Sequence, residues 1–459
     1  MLHALFSDLS PTHFEVSGAY YSQITTNLQK ARRGDIVFYR IQKNDSAYKT
    51  FIERLGDNTQ SLIVVNCICE KLIERGNCIC IPFDKFYEAQ KRLADEFYPR
   101  DNSMKIAGIT GTNGKTTTVN VAMQIAEILG KRSIAVGTIG ITTASGEAIE
   151  DLGATTPSYV ELRRILHRYS GKVDGVFLEV SSHALDQKRL GNIELSAAAW
   201  TSFSQDHLDY HKTMEAYFAA KSEMVKTSMM EGAHCFVPSS EEELVDKLKN
   251  YHTVKVATSI DNTDLPLFFH PAYNKSNLEL ALELNRELWG GQINIDLSKI
   301  STPRGRFSVI EFEDNLAVVD YAHTPDALSN VCSAIKESFP EHTLVVVFGC
   351  GGDRDSSKRS QMGSAVAQFA DRIFVTSDNP RSENPDAIID QIVEGIDTSF
   401  ERYSDRKVAI LAALDSCDSK SLVLVAGKGH EEYQEISGIK NPFSDFEVIE
   451  EWKRLRLHV

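Results

Sequence analysis

Residues 111–117 read Gly111-Thr112-Asn113-Gly114-Lys115-Thr116-Thr117, the side-chain types that cradle a phosphate. Glycines let backbone amides approach an anion, a lysine can reach terminal phosphates, and a threonine hydroxyl can ligate magnesium. The strict spacing of such loops would put a glycine where Ile109 stands, so this is a variant of the pattern. Glu179 ends the apolar run Gly175-Val176-Phe177-Leu178. A carboxylate there can hold magnesium or cap the next helix. Asp206-His207-Leu208-Asp209-Tyr210-His211 gathers two imidazoles and two carboxylates that can bind metal or pair charges; alone, it reads as a solvated turn. Lys221, within Tyr217-Phe218-Ala219-Ala220-Lys221, reads alone as a surface helical lysine.

The elements around these residues must place them. Lys105–Thr110 has the composition of a strand and Thr117–Leu129 the apolar spacing of a helix, so the loop between them aims amides and a helix N-terminus at an anion. Ser133–Val136 and Gly175–Val180 read as further strands. The alternation predicts a parallel sheet with helices on both faces. From about residue 301 the rhythm returns: strands at Leu316–Asp320, Leu344–Phe348, Arg372–Thr376 and Ser421–Ala426, helices at Asp326–Ser338 and Ser360–Phe369. Before Tyr98-Pro99-Arg100-Asp101-Asn102, a polar break, the chain mixes strands (Asp35–Tyr39, Ser61–Cys67, Asn77–Pro82) with a helix at Phe86–Phe97. The expectation is an α/β protein of three domains, 1–102, 103–300 and 301–459.

Composition bounds the function. With 459 residues, 42% hydrophobic and 25% charged, the chain has the balance of a globular protein of several domains. A net charge of −15 argues against nucleic acid as a partner. No apolar run approaches the roughly 20 residues of a membrane span, and Asp8 without an early Lys or Arg argues against a signal peptide. A cytoplasmic protein without membrane insertion is expected. The 8 cysteines are too sparse for a disulfide scaffold. Cys67/Cys69 and Cys78/Cys80 alternate at strand period, which predicts core thiols facing one side of a strand, without metal.

Gly111–Thr117, Glu179–His183, Asp206–His211, Lys221 and the segment Asp320-Tyr321-Ala322-His323-Thr324-Pro325-Asp326-Ala327-Leu328 occur in the order of the Mur ligases, and from Lys105 onward the chain resembles that family. The resemblance implies a small N-terminal nucleotide-sugar recognition domain, a central ATPase-like doubly wound sheet carrying the phosphate loop, and a Rossmann-like C-terminal domain that binds an amino acid. It implies an ATP-dependent ligase, acting as a monomer, that adds meso-diaminopimelate to UDP-MurNAc-L-Ala-D-Glu. A carboxylate is a poor acyl donor; phosphorylation by ATP gives an acyl phosphate that an amine can attack, and metal and cations must neutralise the phosphoryl oxygens.

By the same resemblance, the loop with Lys115 binds ATP, Thr116 and Glu179 hold one Mg2+, His207 holds a second, and Lys221 is carbamylated. Asn274 contacts adenine, and Arg306 and Asp320 contact phosphate or ribose. Thr155, Thr156, Ser181, Gln187 and Arg189 contact the muramoyl peptide. Arg354, Asp378, Asn379, Pro380, Arg381, Gly427 and Glu431 form the amino-acid site, where Arg381 can grip the distal carboxylate and Glu431 or a backbone carbonyl the ammonium.

The chain departs from the family at the nucleotide-sugar end. An Asp-Ser-Arg segment is expected before Gly34-Asp35, yet Asn27-Leu28-Gln29 stands there. Leu28 donates no hydrogen bond and Gln29 carries no charge. Ala154 and Ser202 replace two family asparagines. Either uridine recognition moves to residues such as Arg32 and Arg33, or the acceptor lacks uridine diphosphate. A lysine-adding paralogue and a non-catalytic ligase-like binding protein are the other readings.

Overall fold

The computed structural model describes residues 2–16, 21–29, 31–41, 45–56, 61–99, 101–144, 148–262 and 265–456, the side chains of 45–47 aside. Three sheets organise the chain, with a two-stranded hairpin, Tyr433–Ile436 with Ile439–Pro442, attached to the last.

In spatial order the first sheet runs His13–Glu15, Cys78–Cys80, Leu62–Val65, Asp35–Tyr39, Gln23–Thr25. All its pairs are parallel except that of the His13–Glu15 edge. Leu62-Ile63-Val64-Val65 is buried at every position, as a parallel strand covered on both faces requires. The strand expected at Ser61–Cys67 therefore ends earlier, at Val65, and Cys69 caps the helix Glu70–Arg75. Cys67 and Cys69 thus do not alternate on a strand. Cys78 and Cys80 do, and they are buried in the apolar cluster that holds Leu28, Phe51 and Leu72.

The central sheet runs Thr253–Val256, Cys235–Pro238, Ala197–Trp200, Lys105–Thr110, Gly175–Glu179, Ser133–Gly137, Gly140–Thr142, Ala148–Glu150. Its last two pairings are antiparallel, because Gly140–Thr142 runs against the other strands, unlike the expected all-parallel sheet. Only Thr138 and Ile139 separate Gly137 from Gly140, which leaves room for a hairpin turn and none for a crossover helix. Helices Lys115–Ile128 and Ala272–Trp289 pack together over one face, where buried Asn285 donates to the Ala122 carbonyl at 3.0 Å.

The third sheet runs Ser308–Phe312, Asn315–Asp320, Ser421–Ala426, Thr343–Phe348, Arg372–Thr376, Glu401–Tyr403 and is parallel apart from its first strand. The expected helices appear at Pro325–Ser338 and Ser357–Ala367. One apolar core joins the central and third sheets, and another joins the first sheet to the central one. Polar ties reinforce both seams. Arg163, 2% exposed, donates to Asp95 and to the Tyr98 carbonyl, each at 2.6 Å, and Gln124 exchanges two 2.9 Å hydrogen bonds with the Ser301 backbone. Among the described residues, no helix is long and apolar enough to cross a membrane.

Candidate functional site

Strand Lys105–Thr110 lies between Gly175–Glu179 and Ala197–Trp200, so the glycine loop leaves mid-sheet at the carboxyl edge, where parallel sheets receive ligands. Gly111 (φ +149°) and Gly114 (φ +85°) adopt backbone conformations that side chains resist. A Cβ at Gly111 would collide with Thr201 Oγ1, and one at Gly114 would lie 2.5 Å from Asn277 Oδ1. The helix starts at Lys115 rather than at the expected Thr117, because left-handed Gly114 turns the chain directly into it. Lys115 and Thr116 therefore sit on its first turn.

Lys115 Nζ donates to the carbonyls of Gly111 and Thr112 at 2.8 and 2.9 Å. Lys221 is no surface lysine. It is 1% exposed, it donates to the Gly111 carbonyl at 2.7 Å, and its ammonium lies 4.8 Å from the centre of the Tyr217 ring. Burial lowers the pKa of both lysines, that of Lys221 far below the usual range, with the Lys115 charge adding to the effect. At Lys115 the nearby carboxylates of Glu179 and Asp206 oppose burial, which brings both acids into the same electrostatic neighbourhood.

Glu179, 1% exposed, is the last residue of its strand. Its carboxylate accepts from the Thr138 amide at 3.0 Å and the Thr138 hydroxyl at 3.1 Å, supplied by the hairpin turn. The five residues expected to hold the muramoyl peptide adjoin it in one network. Thr155 and Thr138 share a hydroxyl contact of 3.1 Å, and the Thr156 hydroxyl donates to the Glu179 carbonyl at 2.8 Å. The Ser181 amide donates to Thr156 Oγ1 at 3.0 Å. Arg189 donates to the Thr156 carbonyl and to Gln187 Oε1, both at 2.7 Å.

His207 lies 3.4 Å from Asp206 and adopts a left-handed backbone, φ +52°. Its ring meets His183 edge-on, with centroids 4.8 Å apart, and His211 Nε2 contacts Ser182 Oγ at 3.0 Å. Burial lowers the pKa of all three histidines, which favours neutral rings with a lone pair to offer.

Asn274 lies on the first turn of the helix Ala272–Trp289 and is buried. Its amide donates to the Phe268 carbonyl at 2.7 Å and its oxygen accepts from Asn277 at 3.3 Å. Asn277 in turn accepts from Thr118 at 3.2 Å, so Asn274 is wired to the loop helix. From the third sheet, the Arg306 guanidinium stacks 4.6 Å from the Tyr321 ring, and its charge reaches Lys115. Asp320 accepts from the amides of Phe307 and Ala322 at 2.7 and 2.8 Å; burial raises its pKa against the Arg306 charge.

The amino-acid residues gather where four neighbouring strands of the third sheet end. The Gly427 amide donates to the Asp320 carbonyl at 3.1 Å. Asn379 donates to Glu431 at 2.8 Å, and buried Lys428 donates to Glu431 at 2.9 Å and to Asn379 at 3.1 Å. Burial alone would raise the Glu431 pKa; Lys428 and Asn379 hold it below its usual range. Arg381, with a left-handed backbone (φ +52°), donates to the Gly352 carbonyl at 2.7 Å. Asp378 is buried 4.0 Å from Arg406, Pro380 is buried beside it, and Arg354 is exposed on the neighbouring loop. Thr138, Asn277, Lys428 and Arg406 escaped the sequence reading. Lys428 alone left a signal, between two glycines at a strand end.

Residues 109–299 match the Mur ligase middle domain, and residues 305–429 the Mur ligase glutamate ligase domain. The chain is 33% identical to a UDP-N-acetylmuramoyl-L-alanyl-D-glutamate–2,6-diaminopimelate ligase from Aquifex aeolicus, over 97% of this chain and 95% of that one. It is 35% identical to the ligase of the same name from Neisseria meningitidis, over 78% and 79%. A solved structure of a ligase so named superposes with a TM-score of 0.61 at 26% identity, covering 99% of each chain. MurF ligase from Thermotoga maritima, in complex with ADP, shares the fold with a TM-score of 0.63 at 16% identity, over 95% and 98%. The chain belongs to the Mur ligase family.

Proposed function

We propose that this chain is the ATP-dependent ligase that joins meso-diaminopimelate to UDP-MurNAc-L-Ala-D-Glu through an acyl phosphate. The observation that carries the substrate choice is the group Asn379, Arg381 and Glu431 at the carboxyl edge of the third sheet. There a guanidinium fork and a carboxylate suit an amino acid whose side chain ends in both charges.

In this reading residues 1–102 receive the nucleotide sugar, 103–300 bind ATP and 301–459 bind the amino acid. The loop amides and Lys115 hold the ATP phosphates, Arg306 and Asp320 reach the nucleotide from the third sheet, and Asn274 reaches the base once its internal hydrogen bonds are exchanged. The Thr155–Arg189 network orients the acceptor carboxylate beside the phosphates. Magnesium suits the donors: a threonine hydroxyl at Thr116, a carboxylate at Glu179 and a neutral imidazole at His207. No three His, Cys, Asp or Glu among the described residues form a closed cage, and magnesium commonly keeps waters and phosphate oxygens in place of such a cage. When bound it would neutralise charge on the phosphoryl oxygens. Both nucleotide substrates are cytoplasmic and one chain supplies every site, so a cytoplasmic monomer fits.

A second reading changes the acceptor. Leu28 is buried with Phe51, Cys78 and Cys80 against the first sheet, so it offers no handle. Arg32 and Arg33 are exposed at the amino end of strand Asp35–Tyr39, opposite the edge where ligands bind. These positions favour an acceptor without uridine diphosphate. ADP release by the purified protein, given muramoyl dipeptide with or without the nucleotide and either diaminopimelate or lysine, separates the readings. Turnover is expected with the nucleotide-linked acceptor and diaminopimelate. No turnover with any muramoyl peptide sinks the proposal, and turnover with lysine alone sinks the specificity.

A further inference from the structure

The chain crosses from the central sheet to the third through residues 301–307, and different units hold the two ends of that crossing. At its root Gln124, on the helix Lys115–Ile128, clasps the Ser301 peptide. Gln124 Nε2 donates to the Ser301 carbonyl and Oε1 accepts from the Ser301 amide, both at 2.9 Å. The Ser301 hydroxyl reaches the same Oε1 at 3.2 Å. At its tip Gly305 is pressed against the third unit, where a Cβ would collide with the His430 amide nitrogen. Arg304 pairs with Glu432 at 2.8 Å, Arg306 stacks on Tyr321, and the Phe307 amide donates to Asp320.

The turn between root and tip closes on itself. The Thr302 hydroxyl bonds the Arg306 carbonyl, and the Arg306 amide donates to the Pro303 carbonyl at 3.0 Å. Thr302 and Pro303 border a cavity of about 380 Å³, so hydrogen bonds, and not close packing, hold the turn there. The helix face beneath the root leads back to the phosphate loop. Gln124, Asn120 and Thr116 recur at four-residue steps along it, and Asn120 Nδ2 donates to the Thr116 carbonyl at 2.8 Å. One helix therefore fixes the root of the Arg306 turn relative to Lys115 and Thr116.

We propose that Gln124 is a positioning residue: by clasping Ser301 it sets the turn that carries Arg306, and so aims that guanidinium at the phosphates held by Lys115. Gln124 touches no substrate itself. The proposal rests on reading Arg306 as a nucleotide contact.

The test is a double-mutant cycle on the full-length protein, read as kcat for ADP release below the unfolding transition. Gln124→Met keeps the length of the side chain and removes the clasp. It should lower kcat about ten-fold, the scale of one or two hydrogen bonds, with KM for the amino acid within about two-fold. In an Arg306→Lys background the same change should cost less than about two-fold, because both substitutions spoil one placement. Losses that multiply, or no loss from Gln124→Met alone, overturn the proposal, since a clasp that only supports the fold does not depend on Arg306. Should Gln124→Met not fold, Gln124→Glu, which still accepts from the Ser301 amide, is carried through the same cycle. Wild-type turnover by Arg306→Lys brings down the reading of Arg306 and this proposal with it.

Discussion

Lys115 and Lys221 donate to the same oxygen, the Gly111 carbonyl, at 2.8 and 2.7 Å. Two buried ammoniums on one acceptor repel, and loss of a proton from one relieves the strain. Lys221 is the one whose pKa burial pushes furthest down. As a neutral amine it can add carbon dioxide: a nitrogen–carbon bond forms, the surplus proton leaves to solvent, and the resulting carbamate becomes an anionic partner for Lys115. Activity should then rise with bicarbonate, and Lys221 should gain the mass of one carbon dioxide in native mass spectrometry. Lys221→Arg, which cannot be so modified, should lose about 10²-fold or more in kcat when assayed below its unfolding transition, the scale of one preorganised charge. Wild-type turnover by that variant would refute carbamylation.

A second prediction concerns acid. Arg359, 2% exposed, grips Glu383 through two nitrogens at 2.8 and 2.9 Å, and Glu383 also accepts from the Asp353 amide at 2.5 Å. These bonds, that of Arg359 first, hold the Glu383 pKa down to about 2, against an ordinary 4.5. A carboxyl lowered on folding stabilises fully above its unfolded value, and that contribution is lost as pH falls from 4.5 through about 2. Thermal midpoints of the wild type and Glu383→Gln should differ at pH 7 and converge toward pH 2. Parallel curves would mean that the pair contributes nothing to stability. Because Glu383 also anchors the Gly351–Asp353 turn beside Arg381, the variant should raise KM for the amino acid more than for ATP.

Most of the scaffold was legible in the chain. Buried parallel strands are short apolar runs, and the ligand loops that follow them carry glycine and polar residues. Gly111–Thr117 and Asp378–Arg381 therefore announced themselves. Lys221 did not, because the helix Met214–Thr227 has apolar residues around much of its circumference, so spacing alone cannot say which face the glycine loop covers. Thr138 was equally hidden. It matters only because the antiparallel turn after Gly137 brings it to Glu179, a contact made across 41 residues of chain. The Cys67/Cys69 reading failed because alternation in sequence does not say where a strand stops.

The pair Arg406 and Asp445 was the least legible of all, for nothing local links residues 39 positions apart. Both side chains are 0% exposed, and Arg406 Nε and Nη2 each donate to the Asp445 carboxylate at 2.8 Å. Nη2 also donates to the Ala426 carbonyl at 2.9 Å, while Nη1 stands 4.0 Å from Asp378. The ion pair thus ties the strand Ser421–Ala426 to the root of the Asp378–Arg381 loop. Asp445→Ala strands a buried cation and should cost about 3–5 kcal/mol in urea unfolding, whereas replacing both partners with Leu and Met should recover most of it. Asp378 would then become the remaining counter-charge and turn toward Arg406. The single variant, assayed below its unfolding transition, should therefore lose affinity for the amino acid while nucleotide affinity holds. Equal loss of both would mean that the pair supports the fold alone and leaves the amino-acid loop indifferent.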